Sequence, residues 1–289
     1  MLNFKKIKEK EPITIVGHEN ADLDSLLSAY FLSLLFSFKG ISNKIKFRDS
    51  FREPELIYSG INYDVFKTGV KKEDVLFLVD HYIPCENEVV GCIDHHPGAC
   101  IFPEKENFFE IRSSSCAKII FDLMLKEGME ETKDLVFKTI MSIYGDTLSL
   151  TLESKVVPND RLWIKQKIEE YGFSESDFVP SGLRLTDIKK PCSEILKNKY
   201  KTFFSSSGTK MATSIICMEY MPDSVFLSNL FTQISKNLHL SDTNSWILVI
   251  LCLRERKSVV CDVFKNNNIK INYYDKIVSR GRDILPKKI

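Results

Sequence analysis

The sequence has almost no net charge, no long apolar run and no closely paired cysteines. Its 40 basic and 39 acidic residues leave a formal charge of +1 over 289 positions. This argues against a general nucleic-acid or membrane binder, since such proteins carry a sustained basic excess. The longest uninterrupted apolar run, WILVILCL at 246–253, is too short to cross a bilayer. The first residues also lack the apolar core of a signal peptide. We therefore expect a soluble, cytoplasmic protein.

None of the eight cysteines forms a C-x-x-C pair. Several lie in apolar stretches, such as Cys217 in SIICM and Cys252 in VILCL. In a reducing compartment, cysteines of this kind are small core residues. Disulfides and a cysteine-type zinc site are therefore not expected.

The end of the chain is locally basic although the whole is not. Residues 254–289 contain ten Lys or Arg and four Asp or Glu, and ten minus four gives a local charge of +6. This segment is either an anion-binding surface or a solvated face, and composition alone does not separate the two.

In the first half of the chain, apolar segments of strand length alternate with helical patterns. ITIVG, VLFLVD and VVGCID have the composition of buried strands, whereas SLLSAYFLSLLFSF and SCAKIIFDLMLKEG have the length of helices. Such alternation predicts an α/β fold, with βαβ units and a mostly parallel sheet flanked by helices.

Residues 174–191 interrupt this periodicity with Ser, Pro, Gly and charge, which predicts a linker. Beyond it, alternating segments predict a smaller C-terminal α/β domain with a mixed sheet, in which WILVILCL and KSVVCDVF pair antiparallel. The predicted domains are 1–180 and 190–289.

Acidic and imidazole side chains follow three of the predicted strands. Because the carboxyl ends of parallel strands converge on one edge of a sheet, we expect these side chains to meet. Carboxylates packed together repel one another unless a cation offsets the cost, so the pattern predicts a metal site. The groups are His18, Asp22 and Asp24 after ITIVG, Asp80 and His81 after VLFLV, and Asp94, His95 and His96 after VVGCI, with Asp146 closing a fourth apolar segment, LVFKTIMSIYGDT.

The ligand types and their number narrow the chemistry. Carboxylate and imidazole ligands without a thiolate suit Mn, Mg, Co, Fe or catalytic Zn. A bridging carboxylate would let two ions sit about 3.5–4 Å apart, where they activate water and clamp the oxygens of an in-line displacement at phosphorus. We therefore expect hydrolysis of a phosphate ester or anhydride. The candidate ligands, more than one ion normally takes, are His18, Asp22, Asp24, Asp80, His95 and Asp146.

Some individual roles have alternatives. Asp24 is either a ligand or the N-cap of a helix beginning at Ser25. His81 is either a ligand or a residue that orients Asp80. Asp94 is expected to fix a histidine tautomer by hydrogen bonding. His95 and His96 point in different directions on an extended segment, so one can bind metal while the other reaches substrate.

The motifs GHENADLDS, LVDH, DHH and GDT, in this order over residues 17–147, resemble the DHH phosphoesterase superfamily. The segments KYKTF and SRGRDILP resemble the C-terminal domain of one branch, which contains manganese-dependent family II inorganic pyrophosphatases and eukaryotic exopolyphosphatases with their prune-type relatives. The glycine-rich, histidine-containing motif of the branch that cleaves nucleic acids is missing, so no nucleic-acid substrate is expected.

The resemblance implies roles for individual residues. It implies that the six candidate ligands bind two divalent cations, Mn²⁺ by preference with Co²⁺ or Mg²⁺ as alternatives, and that Asp80 bridges them. It also implies that His96, Lys201 and Arg280 contact phosphate and act in catalysis. Domain 1–180 would then be the metal-binding catalytic domain and 190–289 the substrate-binding domain.

One position departs from the family pattern, because Gly281 stands where a lysine is usual. Arg282 is a candidate replacement, although alternation along a strand would turn it the other way. We predict an exopolyphosphatase that releases orthophosphate from inorganic polyphosphate. The alternatives are a manganese-dependent pyrophosphatase, favoured by His18, and a weakly active prune-like regulatory protein, favoured by Gly281. No membrane partner is expected, and a homo-oligomer is possible.

Overall fold

The computed structural model describes residues 2–19, 21–48, 60–82, 86–96, 106–174, 177–178, 186–197, 200–204, 208–218, 220–252, 255, 257–278 and 284. The chain divides into two compact units, Met1–Leu150 with Lys155–Val179 and Thr151–Ser154 with Pro180–Ile289. Much of the predicted linker lies outside the described residues, and the predicted domain boundaries stay predictions.

The first unit contains a six-stranded, entirely parallel sheet in the order β3-β2-β1-β4-β5-β6. This confirms the predicted parallel sheet. Its strands are β1 Ile13–Val16, β2 Asn43–Phe47, β3 Phe66–Thr68, β4 Val75–Val79, β5 Val89–Asp94 and β6 Phe108–Glu110.

Apolar strands suit this position because a parallel sheet is covered on both faces. All four residues of β1 are buried. One large core joins the sheet to helix α2, which packs against α3 and α4. The helices of this unit are α1 Phe4–Lys8, α2 Leu23–Phe38, α3 Cys116–Lys126, α4 Lys133–Thr147 and α5 Pro158–Tyr171.

The strand order reverses at β1. After β1 the chain adds β2 and β3 on one side, and it then returns to place β4, β5 and β6 on the other side. Where the order reverses, the connections leaving two neighbouring strands diverge and open a crevice at their carboxyl ends. The residues that follow β1 and β4 therefore flank this crevice.

The second unit contains a five-stranded sheet in the order β11-β10-β9-β8-β7. Among its described pairings, β8 (Lys210–Met218) with β9 (Ser245–Cys252) is parallel and the others are antiparallel. Helix α7 (Ser224–Leu240) connects β8 to β9, with Leu230, Ile234 and Leu238 buried. The mixed sheet and the antiparallel pairing of β9 with β10 are confirmed. The elements are α6 Cys192–Ile195, β7 Lys201–Phe204, β8 Lys210–Met218, α7 Ser224–Leu240, β9 Ser245–Cys252, β10 Lys257–Phe264 and β11 Ile269–Tyr274.

Within the described part of the chain, none of the helices combines the length and the apolar character that a membrane span requires.

Candidate metal centre

The residues that follow β1 pack closely against the first turn of α2. Gly17 permits this close approach, because a Cβ there would lie 2.2 Å from Ser25 Oγ and 2.7 Å from the Phe47 ring. The His18 N–H donates to Ser25 Oγ at 3.0 Å. Asp22 caps α2 by accepting from the Ser25 N–H at 3.3 Å. The side chains of His18 and Asp22 are thereby held beside each other at the end of β1.

Asp80 follows β4 in a left-handed backbone conformation, with φ at 61°. Residues other than Gly seldom adopt this conformation, although Asn, Asp and His do so more readily than the rest. It costs energy and occurs preferentially at functional sites. The Asp80 N–H donates to the Ile93 carbonyl at 2.9 Å, which ties the turn to the neighbouring strand β5. The carboxylate of Asp80 is only 3% exposed.

His18, Asp22 and Asp80 form the first group of candidate ligands. His18 Nε2 lies 3.5 Å from Asp22 Oδ1 and 3.4 Å from Asp80 Oδ2. The other ring nitrogen, Nδ1, lies 2.7 Å from the Glu19 carbonyl. A hydrogen bond from Nδ1 to this carbonyl directs Nε2 toward the two carboxylates.

The second group surrounds His95 in the same way. Its Nε2 lies 3.3 Å from Asp80 Oδ1, 3.6 Å from Asp24 Oδ2 and 3.8 Å from Asp146 Oδ2. Its Nδ1 lies 3.1 Å from the Ser113 carbonyl, which again directs Nε2 toward the carboxylates.

The two groups share Asp80, whose oxygens face in different directions. Oδ2 approaches His18 and Oδ1 approaches His95. Ligand atoms about 2.1 Å from one ion lie about 3 Å apart when adjacent and about 4.2 Å apart when opposite. The spacings in both groups fall in this interval, so the residues fit two divalent cations with Asp80 between them.

Several polar atoms of this cluster fit a cation better than a hydrogen-bond donor. Among the described residues, four atoms of the cluster are buried without a hydrogen-bond partner: Asp94 Oδ2, and Asp80 Oδ1, His95 Nε2 and Asp146 Oδ2, of which the last three lie together. Buried polar atoms are normally satisfied. A cation would satisfy these last three at once, and oxygen with imidazole ligands suits Mn²⁺.

The electrostatics support the same interpretation. Burial, reinforced by Asp24, raises the pKa of Asp80 well above its usual range, and burial also raises the pKa of Asp24. Burial opposes the charged form of His18, but Asp22 and Asp80 outweigh it and raise its pKa to about 9. Burial therefore disfavours the charged forms of Asp80 and Asp24, and divalent cations would supply the positive charge that these two carboxylates lack.

Asp24 is not the cap of its own helix, so the alternative of an N-cap for a helix beginning at Ser25 is wrong. Helix α2 begins at Leu23 and Asp22 is its N-cap. Asp24 instead accepts from the backbone N–H groups of Cys116 and Ala117 at 2.8 and 2.9 Å. It thus ties the start of α3 to the cluster while its Oδ2 also faces His95.

Asp94 serves the histidine pair, as its predicted tautomer-fixing role requires. Its Oδ1 accepts from the His95 and His96 N–H groups at 2.7 and 3.1 Å and lies 2.8 Å from His96 Nδ1. Burial opposes its ionisation, but the hydrogen bond from His96 outweighs this and lowers the pKa of Asp94. Since Nδ1 is engaged by Asp94, the Nε2 of the half-exposed His96 is the nitrogen that can exchange a proton.

The ligand atoms of His18, Asp22 and Asp80 lie within 4.8 Å of one another, and so do those of Asp80, Asp94, His95 and His96. We place Asp94 and His96 outside the ligand set because their side chains are hydrogen-bonded to each other. His81 is buried, turns Nδ1 toward the Val79 carbonyl at 2.9 Å, and has its pKa lowered by burial to about 4.

The sequence does not predict the helical position of Asp146 or the contact that Lys155 makes with it. Asp146, a predicted ligand, lies in the last turn of α4. Lys155 Nζ lies 2.5 Å from Asp146 Oδ1, and the lysine charge prevails over burial to hold the pKa of Asp146 at about 2. Lys155 lies in the segment SKVVPND, and no local sequence pattern indicates that it contacts Asp146.

The predicted phosphate contacts other than His96 lie in the second unit. Lys201 is exposed at the first position of β7. Arg280, Gly281 and Arg282 lie outside the described residues. Their predicted roles stay predictions.

Comparison with known proteins identifies a matching family model and two relatives that share a name. Residues 12–144 match the family model described as DHH family, N-terminal domain. A Clostridium acetobutylicum protein named "Probable manganese-dependent inorganic pyrophosphatase" is 21% identical, over 95% of this chain and 96% of its own length. A Streptococcus equi subsp. zooepidemicus protein of the same name is 25% identical over 66% of each chain.

The fold also has a solved counterpart. The crystal structure of a Methanococcus jannaschii protein, named "putative family II inorganic pyrophosphatase", superposes with a TM-score of 0.73 at 18% identity. The match covers 95% of this chain and 97% of that one. At this identity the likeness concerns the fold.

Proposed function

We propose that this chain, whose residues 12–144 form a DHH-family N-terminal domain, is a divalent-metal-dependent hydrolase of phosphoanhydride bonds. The orientation of Asp80 carries the proposal, because its two oxygens face two separate ligand groups. A bridging carboxylate of this kind is expected of two-metal phosphoryl hydrolases.

The chain's residues divide between two metal positions. His18, Asp22 and Asp80 would hold one cation, whereas Asp24, Asp80, His95 and Asp146 would hold the other, with Mn²⁺ preferred. When bound, the cations would lower the pKa of a water molecule and offset charge on phosphate oxygens. The hydrogen bonds from the histidine Nδ1 atoms to the Glu19 and Ser113 carbonyls would keep each Nε2 directed toward its cation.

His96 is suited to a different task. Its Nδ1 is held by Asp94 and its side chain is 46% exposed, so Nε2 can meet a substrate. An imidazolium at this place would donate a proton to the oxygen of the leaving phosphate, and the Asp94 carboxylate would stabilise the positive charge. Lys201, Arg280 and Arg282 would neutralise further phosphate oxygens.

For the substrate we propose inorganic polyphosphate, with release of orthophosphate. The segments ADLDSLLSA, SSSCAKII and SKVVPND support this choice because they resemble exopolyphosphatases and their prune-type relatives. Pyrophosphate is the second candidate, favoured by the names of the two curated relatives and by His18. A weakly active regulatory protein is the third, favoured by Gly281.

Phosphate release from pyrophosphate, tripolyphosphate and long-chain polyphosphate, each with Mn²⁺, Co²⁺ or Mg²⁺, separates these candidates. We expect release from tripolyphosphate and long chains, highest with Mn²⁺ and abolished by a chelator. Release from pyrophosphate alone would establish the second candidate. Stoichiometric Mn²⁺ binding without release from any substrate would favour the regulatory protein.

A further inference from the structure

The first residues of α5 and the loop before it contact the His95 side of the metal centre at two points. Lys155 lies against Asp146, and Asp160 lies against the loop that contains Ser113. Lys155 is not a candidate ligand, because its ammonium group has no lone pair to donate. Asp160 is not one either, because its Oδ2 is turned toward Ser113 and Ser114.

Asp160 fixes the backbone that orients His95. The buried Asp160 Oδ2 accepts from the Ser114 N–H at 2.7 Å and from Ser113 Oγ at 3.3 Å. In return, Ser114 Oγ accepts from the Val157 N–H at 2.8 Å. These three bonds hold the Ser113 carbonyl, which lies 3.1 Å from His95 Nδ1. Asp160 therefore acts on the imidazole through one intervening peptide group.

Lys155 acts on the opposite ligand by charge. Its ammonium group engages Asp146 Oδ1, and only Asp146 Oδ2 faces His95. Both side chains are largely buried, at 17% and 10% exposure, so solvent screens their charges weakly. A cation bound to Oδ2 would share the carboxylate with a fixed positive charge and be repelled by it.

We infer that Asp160 and Lys155 together set the cation affinity of the position formed by His95 and Asp146, with opposite signs. Asp160 is a positioning residue that raises this affinity by aiming His95. Lys155 lowers the affinity by keeping a competing charge on Asp146. The inference concerns cation binding and is independent of which phosphoanhydride is hydrolysed.

Mn²⁺ titration of the full-length, metal-free protein by calorimetry tests both signs. The class of Mn²⁺-binding site under test is first identified as the one that Asp146→Ala removes from the titration. Asp160→Ala should weaken Mn²⁺ binding in that class by about tenfold, the lower end of the 10–100-fold cost of losing a direct outer partner, because Asp160 acts through one intervening peptide group. Asp160→Asn keeps an acceptor oxygen and should restore most of the affinity. Lys155→Met should tighten the same class by about tenfold, because it removes a charge but keeps the side-chain length.

Asp74→Ala is a matched control. Asp74 is a buried carboxylate at the opposite end of the sheet, just before β4, and it binds Lys44 and Lys46 at 2.8 Å each. Its loss should destabilise the fold without changing either Mn²⁺ affinity. Thermal unfolding of the metal-free variants shows whether each is folded, and Lys155→Met remains decisive if Asp160→Ala is not.

The opposite signs separate positioning from general damage, which would weaken binding in both variants. The inference is overturned if Lys155→Met weakens the class or leaves it unchanged. It is equally overturned if folded Asp160→Ala shifts the affinity no more than Asp74→Ala does.

Discussion

Replacing Asp80 by asparagine should abolish Mn²⁺ binding and reduce phosphate release by at least about 10³-fold, more than the 10–100-fold cost of losing an outer partner. The reason is that both ligand groups depend on this one carboxylate. Asparagine has the same shape and tolerates the left-handed backbone at this position. It offers one neutral oxygen, so it cannot bridge two cations.

The same variant should not damage the metal-free fold. Burial and Asp24 raise the pKa of Asp80 in the folded protein, so its carboxylate destabilises the metal-free fold at pH values above its unfolded-state pKa. A neutral amide removes that penalty. We therefore expect metal-free Asp80→Asn to unfold at the same temperature as the parent or higher, while Mn²⁺ no longer stabilises it. Retention of Mn²⁺ binding and of turnover would refute the bridging role.

His96→Gln should lower turnover by about 10²–10⁴-fold, the range for losing a general acid or base, and leave Mn²⁺ binding unchanged. His96 contacts Asp94 through Nδ1 and lies outside the proposed ligand set. Glutamine keeps a polar side chain of similar reach but cannot transfer a proton near neutral pH.

Steady-state phosphate release together with Mn²⁺ titration checks this prediction. His239→Gln is the matched control because His239 is an exposed histidine on α7 in the second unit, and this variant should behave as the parent. Loss of Mn²⁺ affinity in His96→Gln would make His96 a ligand instead. Unchanged turnover would remove it from catalysis.

The parallel sheet and the convergence of acidic and imidazole groups could be predicted from the sequence for a physical reason. Each of β1, β4 and β5 is an apolar run that stops at His or Asp. Parallel strands place such ends on one edge of the sheet. His18, Asp80 and His95 therefore meet although they are far apart in the chain.

Residues whose roles depend on tertiary contacts could not be predicted in the same way. Asp24 binds the start of α3, 92 residues further along the chain. Lys155 and Asp160 act across loops whose geometry no local periodicity specifies. The left-handed backbone of Asp80 is likewise set by its bond to Ile93 in the neighbouring strand.

Anomalous scattering from crystals grown with Mn²⁺ tests the two-cation site most directly. We predict two peaks separated by about 3.5–4 Å, the spacing of two-metal sites. One should contact His18, Asp22 and Asp80, and the other Asp24, Asp80, His95 and Asp146. A single peak that Asp80 does not touch, or no peak among these residues at saturating Mn²⁺, would contradict the proposal.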